Sequence, residues 1–454
     1  MPSFLSKDLS GWGRFPVENC LVARPEKFRD LPTLVASNEV PSLVARGLGR
    51  SYGDVALNSD SGIVLIEKLA HFLGFDEGSG VLHVQGGASF LDILETFVPL
   101  GWFLPVAPGT RFITVGGAIA CDVHGKNHHI DGTIANYIEE FQLLKADGET
   151  ITCSKTENSS AFWATVGGLG LTGIITSAKI KLKPIETSHI YSTTTRTQNL
   201  DETLAEFEKD AETPYTVAWI DGLASGDSLG RSVVLRGHHA SKAQILTHED
   251  SSDPLSYSTT KKGGVPIDLP NFALNPLSVK AFNSFYYGNH PSGEGIVPLE
   301  PFFWPLDAVP GWNRIYGTRG FVQYQCIFPF ETSREGLRKV LDKIANSGHA
   351  AFLGVLKIHG EQNLSPLSFT MAGYSLALDL PATEGVVDFC HQLDEIVVEY
   401  GGRNYLAKDS TLEAATFRKM YPRLGEFEAV KRELDPKNRF QSSLSRRLQI
   451  GVSA

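Results

Sequence analysis

The stretch Pro108-Gly-Thr-Arg-Phe-Ile-Thr-Val-Gly-Gly-Ala-Ile-Ala-Cys-Asp-Val-His-Gly-Lys-Asn-His-His129 constrains this chain more than any other. Two glycine turns flank a short apolar run, which ends in His124, Lys126, His128 and His129. Thr114 can cap a helix opening on Val115-Gly116-Gly117, because its hydroxyl can accept from an amide left over in the first turn. Glycines at such a start let a ligand approach the main chain, and the free amides favour an anionic group. A segment of this kind suits a phosphate-bearing cofactor and delivers polar side chains to its reactive end.

At 454 residues the chain exceeds what one ordinary core organises, so two domains are expected. Glycine is frequent (44), which suits a binding site made of main chain. The net charge of −10 argues against a nucleic-acid partner. No apolar run reaches the roughly 20 residues that span a bilayer. The first twenty residues show neither a basic start nor a continuous apolar stretch, so a cytoplasmic location is expected. Cysteines at 20, 121, 153, 326 and 390 form no CxxC pair and no zinc spacing, which predicts reduced thiols.

Along the chain, Lys27 to Ser37 reads as a helix and Ser42 to Ala45 as a strand entering Arg46-Gly-Leu-Gly-Arg-Ser-Tyr-Gly-Asp54. Strands follow at Gly62 to Glu67, Phe72 to Phe75 and Val81 to Val84. Phe90, Ile93, Leu94 and Phe97 make one helical face. Tyr137 to Ala146 and Thr150 to Cys153 form a hairpin about Asp147-Gly148. Gly168-x-Gly170-x-x-Gly173 matches the dinucleotide fingerprint in letters, yet a helix (Ala161 to Thr165) precedes it and a strand (Ile174 to Lys183) follows. That fingerprint needs the opposite order, so a Rossmann nicotinamide site is rejected.

From Thr187 onward strands near 188–196, 216–222, 231–236, 351–358 and 368–380 alternate with helices. Thr332 to Asn346 opens with a capping-box pattern, Thr332-x-x-Glu335, and a second helix runs from Val386 to Tyr400. This predicts an antiparallel sheet covered by helices on one side, an α+β domain. Residues 250–300 read as a long mobile loop of the size used for lids. The tail returns to helix at Leu412 to Met420 and Leu424 to Leu434, packing back on the first domain. Expected boundaries are 1–187, 188–402 and 403–454.

The order of the first domain, ending in Phe162-Trp-Ala-Thr-Val-Gly-Gly168, resembles the FAD-binding domain of the vanillyl-alcohol-oxidase-type flavoproteins. Five dispersed motifs narrow the resemblance: Gly47-Leu-Gly-Arg-Ser-Tyr-Gly-Asp54, Cys121-Asp-Val-His-Gly-Lys-Asn-His-His129, Trp312-Asn-Arg-x-Tyr316, Gln323-Tyr-Gln325 and Ala407-Lys-Asp-Ser410. They are similar to those of the flavin subunits of the polyprenylphosphoryl-ribose 2′-epimerases, over about Trp12 to Leu448. The resemblance implies oxidation of the ribose 2′-hydroxyl of a lipid-linked sugar phosphate to a ketone. It also implies a partner short-chain reductase and peripheral contact with the inner face of the cell membrane.

For FAD, the resemblance implies Arg46, Gly47, Leu48, Gly49, Arg50, Ser51 and Tyr52 in the first loop. In the second segment it implies Pro108, Gly109, Thr110, Thr114, Gly116, Gly117, Ala120, Cys121, Val123, His124, Gly125 and His129. Gly170, Gly173, Ile174, Ile175 and Tyr405 complete the set. The glycines of the first loop can form a nest for the diphosphate. Some relatives bind flavin covalently through a histidine in that loop; Arg50 stands at its place, so non-covalent FAD is expected. A histidine metal cluster is not expected, since Gly125 interrupts the helical spacing and no carboxylate accompanies it.

Lys408 is the implied catalytic residue, because an ammonium near flavin N1 would stabilise charge developing as hydride reaches N5. His124, Tyr52 and Lys408 are all candidates to accept the hydroxyl proton. Lys126, Gln325, Lys357, Ser375, Asp379 and Lys408 are the implied substrate contacts, with Lys357 reading the phosphate. Three departures bear on specificity: Ala377 stands where mycobacterial relatives have cysteine, Ser375 replaces an asparagine, and Phe303 a tyrosine. Two alternatives remain: a soluble aldonolactone or alditol oxidase on the same scaffold, and a flavin-binding subunit without turnover.

Overall fold

Phe90, Ile93, Leu94 and Phe97 are all buried on one face of the helix Phe90–Phe97, which Ser89 caps by accepting from Asp92 N. The computed structural model, which describes residues 3–209, 211–246, 252–259 and 263–451, builds an α+β fold around this and two further cores.

In the first body, β1 (Leu5–Ser10), β2 (Val17–Ala23), β3 (Leu43–Arg46) and β4 (Gly62–Leu65) form a sheet of order β1-β2-β4-β3. A second sheet begins with β5 (Phe72–Asp76) and β6 (Val81–Gln85); a short β7 (Trp102–Phe103) stands apart. With β8 (Ile138–Leu144), β9 (Thr150–Ser154) and β10 (Ile174–Lys181), the second sheet has the order β5-β6-β10-β8-β9. The two-residue β11 (Lys183–Pro184) pairs with β7.

The second body is one antiparallel sheet of eight strands. They are β12 (His189–Thr197), β13 (Tyr215–Ile220), β14 (Ser232–His239), β15 (Gly293–Pro298), β16 (Phe321–Pro329), β17 (Gly354–His359), β18 (Gly373–Pro381) and β19 (Arg403–Asn404). Their order is β15-β12-β14-β13-β17-β18-β16-β19. Alternate side chains leave a strand on opposite faces. Val322, Tyr324, Cys326, Phe328, Leu376, Leu378 and Leu380 therefore turn to one side, where they share a core with the helices Phe330–Ala345 and Val386–Glu399. The opposite face carries Gln323, Gln325, Lys357, Ala377 and Asp379.

Two expectations need correction, and one hairpin was not anticipated at all. The N-terminal hairpin β1–β2 was invisible as pattern, because β1 has little buried surface and so shows no apolar alternation. Residues 250–300 are not one long loop: they hold the helix Pro276–Asn289 and the edge strand β15. That helix leaves Leu277 and Phe285 outside, which blurs its periodicity, while an edge position tolerates the Gly and Pro of β15. (Residues 247–251 and 260–262 of that stretch lie outside the described residues.) Finally, the helix near 332 starts at Phe330 on a Pro329 cap without a capping box, and the Thr332 hydroxyl instead donates to Tyr400 O at 2.6 Å.

The tail closes over the first body. Lys431 Nζ, wholly buried, donates to Leu171 O, Phe440 O and Asp435 Oδ2 at 2.9–3.0 Å. Arg439 donates through Nε to Val35 O, and Phe440 bridges Leu43 beside β3.

Candidate active site

β3 runs directly into the loop 46–54, whose path only glycine permits at two points. A Cβ on Gly47 would collide with the Thr114 side chain, and one on Gly53 with the main chain of Asp409. Arg46 braces the loop from behind by donating to Ser10 O at 2.6 Å and Ala56 O at 3.0 Å. Opposite it, Thr114 caps the helix Val115–Ala120 by accepting from Gly117 N at 3.2 Å. Gly116 is packed so closely that a Cβ would lie 3.1 Å from Gly86 O. Leu48 is exposed, and Gly49, Arg50, Ser51, Gly117, Ala120, Cys121 and Gly170 are half-exposed. These residues are contiguous, since Gly47 meets Thr114, and Leu169 N donates to Ala120 O. They line a trench walled by main chain.

The free face of the eight-stranded sheet closes the other side. Register aligns Trp219, Val355, Ala377 and Gln325 in one row, with Gln323 and Asp379 in the row to one side of it and Lys357 with Ser375 in the row to the other. Lys408 reaches this face from the loop after β19. Its ammonium donates to Gln323 Oε1 and lies 3.8 Å from the centre of the Tyr52 ring. Behind Gln323, Asp379 accepts from Gln323 Nε2 at 2.6 Å and from the Tyr316 hydroxyl at 3.0 Å. Gln325 donates to His124 Nε2 at 3.2 Å, which leaves the imidazole proton on Nδ1. Tyr405 stacks on Phe369 and donates to Cys121 O at 2.7 Å, tying the sheet to the trench.

Burial dominates the electrostatics. It pulls the Lys408 ammonium down from its ordinary value, with Asp379 opposing, and pushes the Asp379 carboxyl up. It drives the Tyr52 phenol far above its usual range, reinforced by Asp379. His124 is held well below the usual imidazole value by burial, then by Lys357 and His128, so it is neutral at pH 7. Burial lowers Lys126 to about 7 and Lys357 to about 8. Lys357 has no hydrogen-bond or ion-pair partner among the described residues, whereas Lys126 Nζ donates to Phe303 O at 3.0 Å.

Arg447 locks the two loops that carry Tyr52 and Lys408. It grips Asp54 with two bonds of 2.7 and 2.9 Å and Asp409 with one of 2.9 Å. Arg447→Met would leave two buried carboxylates without their cation. Its expected cost is about 3 kcal/mol, read as a lower denaturant midpoint at unchanged slope.

Several expected residues are placed behind the cleft instead of on it. Asp379 and Ser375 are almost fully buried; Asp379 holds Gln323 and Tyr316, and Ser375 holds His359 Nε2 at 2.7 Å. His129 Nε2 donates to Thr213 O at 3.0 Å, a tie between the two bodies. Ile174 packs with Leu144 and Phe440, so only its main chain is left for a ligand. Gly173 is required by packing, since a Cβ would lie 2.6 Å from Leu144 O. Gln323, Tyr316, His359 and Trp219 were not assigned as site residues from sequence, although the alternation of a strand puts Gln323 on the face of Gln325 and His359 on that of Lys357. Among the described residues no group of three or more His, Cys, Asp or Glu is arranged to hold a metal.

The trench fits FAD on its own evidence. Its glycine walls admit a diphosphate to the main chain, and two buried donors facing this region, Arg50 Nε and His124 Nδ1, have no partner among the described residues. Arg50 is further pinned over the rings of Trp12 (4.0 Å) and Phe112 (4.9 Å).

Comparison with known proteins agrees. A family model described as FAD binding domain matches residues 21–154, and one described as D-arabinono-1,4-lactone oxidase matches 379–448. Decaprenylphosphoryl-beta-D-ribose oxidase of Mycolicibacterium smegmatis is 38% identical over 452 residues, 98% of each chain. The chain belongs to the decaprenylphosphoryl-β-D-ribose oxidase family. It is thus an FAD-binding oxidoreductase of the vanillyl-alcohol-oxidase type. An uncharacterised protein of Streptomyces coelicolor is 33% identical over 79% of this chain and 99% of its own. An alditol oxidase of a Streptomyces species is more distant within the type, at 26% over 95% of this chain and 96% of its own.

Proposed function

We propose that this protein oxidises the ribose 2′-hydroxyl of a polyprenylphosphoryl-β-D-ribose to the 2′-ketone, the first half of epimerisation to the arabinose form. A partner reductase completes the exchange, and the enzyme works in peripheral contact with the inner face of the cell membrane. Residues 1–187 form the FAD domain, 188–402 the substrate domain, and 403–454 the segment returning to the first. The observation that carries the reading is Lys357, an ammonium without a partner among the described residues, on the same sheet face as Lys408. A cation without a partner in a cleft calls for an anion, which a phosphorylated sugar brings and a free lactone does not.

The 46–54 loop, the 108–117 segment and His124 would hold FAD, which would supply the hydride acceptor. Lys408, drawn toward neutrality by burial, accepts the hydroxyl proton. As an ammonium it is held by Gln323 and the Tyr52 ring, with Asp379 behind them as counter-charge. Tyr52 is the poorest base of the three candidates, because burial and Asp379 keep its phenol protonated. It orients the sugar as a donor. Neutral His124, steadied by Gln325, has an Nδ1 proton without a partner among the described residues, which it would offer to FAD. Lys357 takes the phosphate.

Anaerobic bleaching of the yellow protein tests the reading. Polyprenylphosphoryl ribose should bleach it, and free aldonolactones and alditols should not. The lactone-oxidase match over 379–448 makes the opposite outcome the second reading, a soluble aldonolactone or alditol oxidase. Because Arg50 offers no imidazole to the flavin, acid or urea should release all of the yellow colour from the polypeptide.

A further inference from the structure

The helix Pro276–Asn289 has two unlike faces. Its inner side is anchored: Val279 and Asn283 are buried, and Asn283 donates to Asp221 Oδ1 at 2.6 Å. Phe282 packs on Phe352 and Tyr286 on Trp219, so this side also walls the substrate face of the sheet. The outer side is bare. Leu277 is 80% exposed and Phe285 68% exposed, at i and i+8 on one stripe with Ala281 between them. Just upstream, Phe272 is 78% and Ile267 66% exposed. Four protruding apolar side chains on one short stretch are unusual on a water-soluble surface.

One flank of the same helix is basic, in a chain whose net charge is −10. Lys280 is exposed there. Next to it a surface cavity of about 460 Å³ is lined by Arg196, Gln198, Ser228, Arg231, Tyr287 and Ser292. Both arginines lie over the Tyr287 ring, at 5.5 and 5.0 Å. Arg231 is paired with Asp221, while Arg196 has no ion-pair partner among the described residues. Apolar side chains flanked by cations and hydroxyls form the pattern of an element lying in a lipid–water interface.

We propose that the outer face of the helix Pro276–Asn289, with Ile267 and Phe272, docks on an anionic phospholipid bilayer. Leu277 and Phe285 enter the acyl boundary, and Lys280 and Arg196 meet phosphate head groups. This deepens the lipid-linked-substrate reading and rests on it for its purpose. Docking here sets the membrane against the element whose inner side walls the site, so the polyprenyl tail stays in lipid while the sugar phosphate reaches Lys357. A bilayer is favoured over a protein partner because the protruding apolar residues are flanked by the cations Lys280 and Arg196, which suits acyl chains beneath phosphate head groups.

The test is flotation of the FAD-loaded protein with vesicles of phosphatidylglycerol and phosphatidylcholine, against phosphatidylcholine alone. The wild type should float with the anionic vesicles. Leu277→Ser combined with Phe285→Ser should lower partitioning about tenfold or more. Lys280→Ala and Arg196→Ala should each lower it about fivefold, only on anionic vesicles. A wild type that stays in the supernatant, or a double serine variant that floats like wild type, overturns the proposal; the former leaves a protein partner for this face. Reduction by a short-chain, water-soluble phosphoryl ribose separates the two readings. The double variant should be reduced at the wild-type rate. A protein that floats but is bleached by no phosphoryl ribose would retain the docking surface and lose the proposed substrate.

Discussion

Lys408→Met is expected to leave a yellow, folded protein whose flavin is reduced by substrate about 10²–10⁴-fold more slowly. The side chain contributes one hydrogen bond to Gln323 and the ring contact with Tyr52, so its loss should cost little stability. The proton acceptor it places on the sheet face has no substitute, because Lys357 faces a separate row of the sheet and Lys126 is engaged by Phe303 O. Stopped-flow reduction measures this directly. A variant reduced at the wild-type rate would remove Lys408 from the chemistry. Asp379→Asn probes the same pair from behind. The carboxylate raises the proton affinity of Lys408, so removing it makes the amine easier to keep neutral. If neutral Lys408 is the base, activity falls as pH drops through its titration. Asparagine should then move that acid limb to lower pH while still contacting Tyr316 and Gln323.

The second large effect is expected at Lys357. Lys357→Met should raise KM for a phosphorylated substrate about 10–100-fold, the scale of a charge-assisted hydrogen bond lost from a cleft. It should change kcat little, since the contact lies on the phosphate in ground and transition states alike. The pH dependence follows from the same group. Burial holds its ammonium down to about 8, so the cation is present below that pH and is lost as pH rises through it. KM of the wild type should therefore climb above pH 8, and that of the methionine variant should be flat there. An unchanged KM in the variant would place the phosphate elsewhere.

Much of the site was legible because its determinants are local. Gly47 and Gly53 announce a main-chain cradle, since a side chain at either would strike a neighbouring element. Thr114 before Val115-Gly116-Gly117 is a cap whatever the rest of the chain does. Gln325 and Lys357 were accessible through the family resemblance, since the two-residue period of a strand fits a polar outer face as well as a cleft. The helix Pro276–Asn289 was not, because its apolar residues serve two surfaces and break the single stripe on which periodicity depends. β1 was not, because it sits at an edge with little buried surface.

By itself, then, the amino-acid order determined which stretches are cradle, cap, strand and helix, since these depend on a side chain and its nearest neighbours. Tertiary structure alone decided that Asp379 stands behind Gln323, that Ser375 serves His359, and that Lys357 meets no partner among the described residues. Those facts arise from strand register and from the approach of loops far apart in sequence, and burial then alters the proton affinity of each group it encloses.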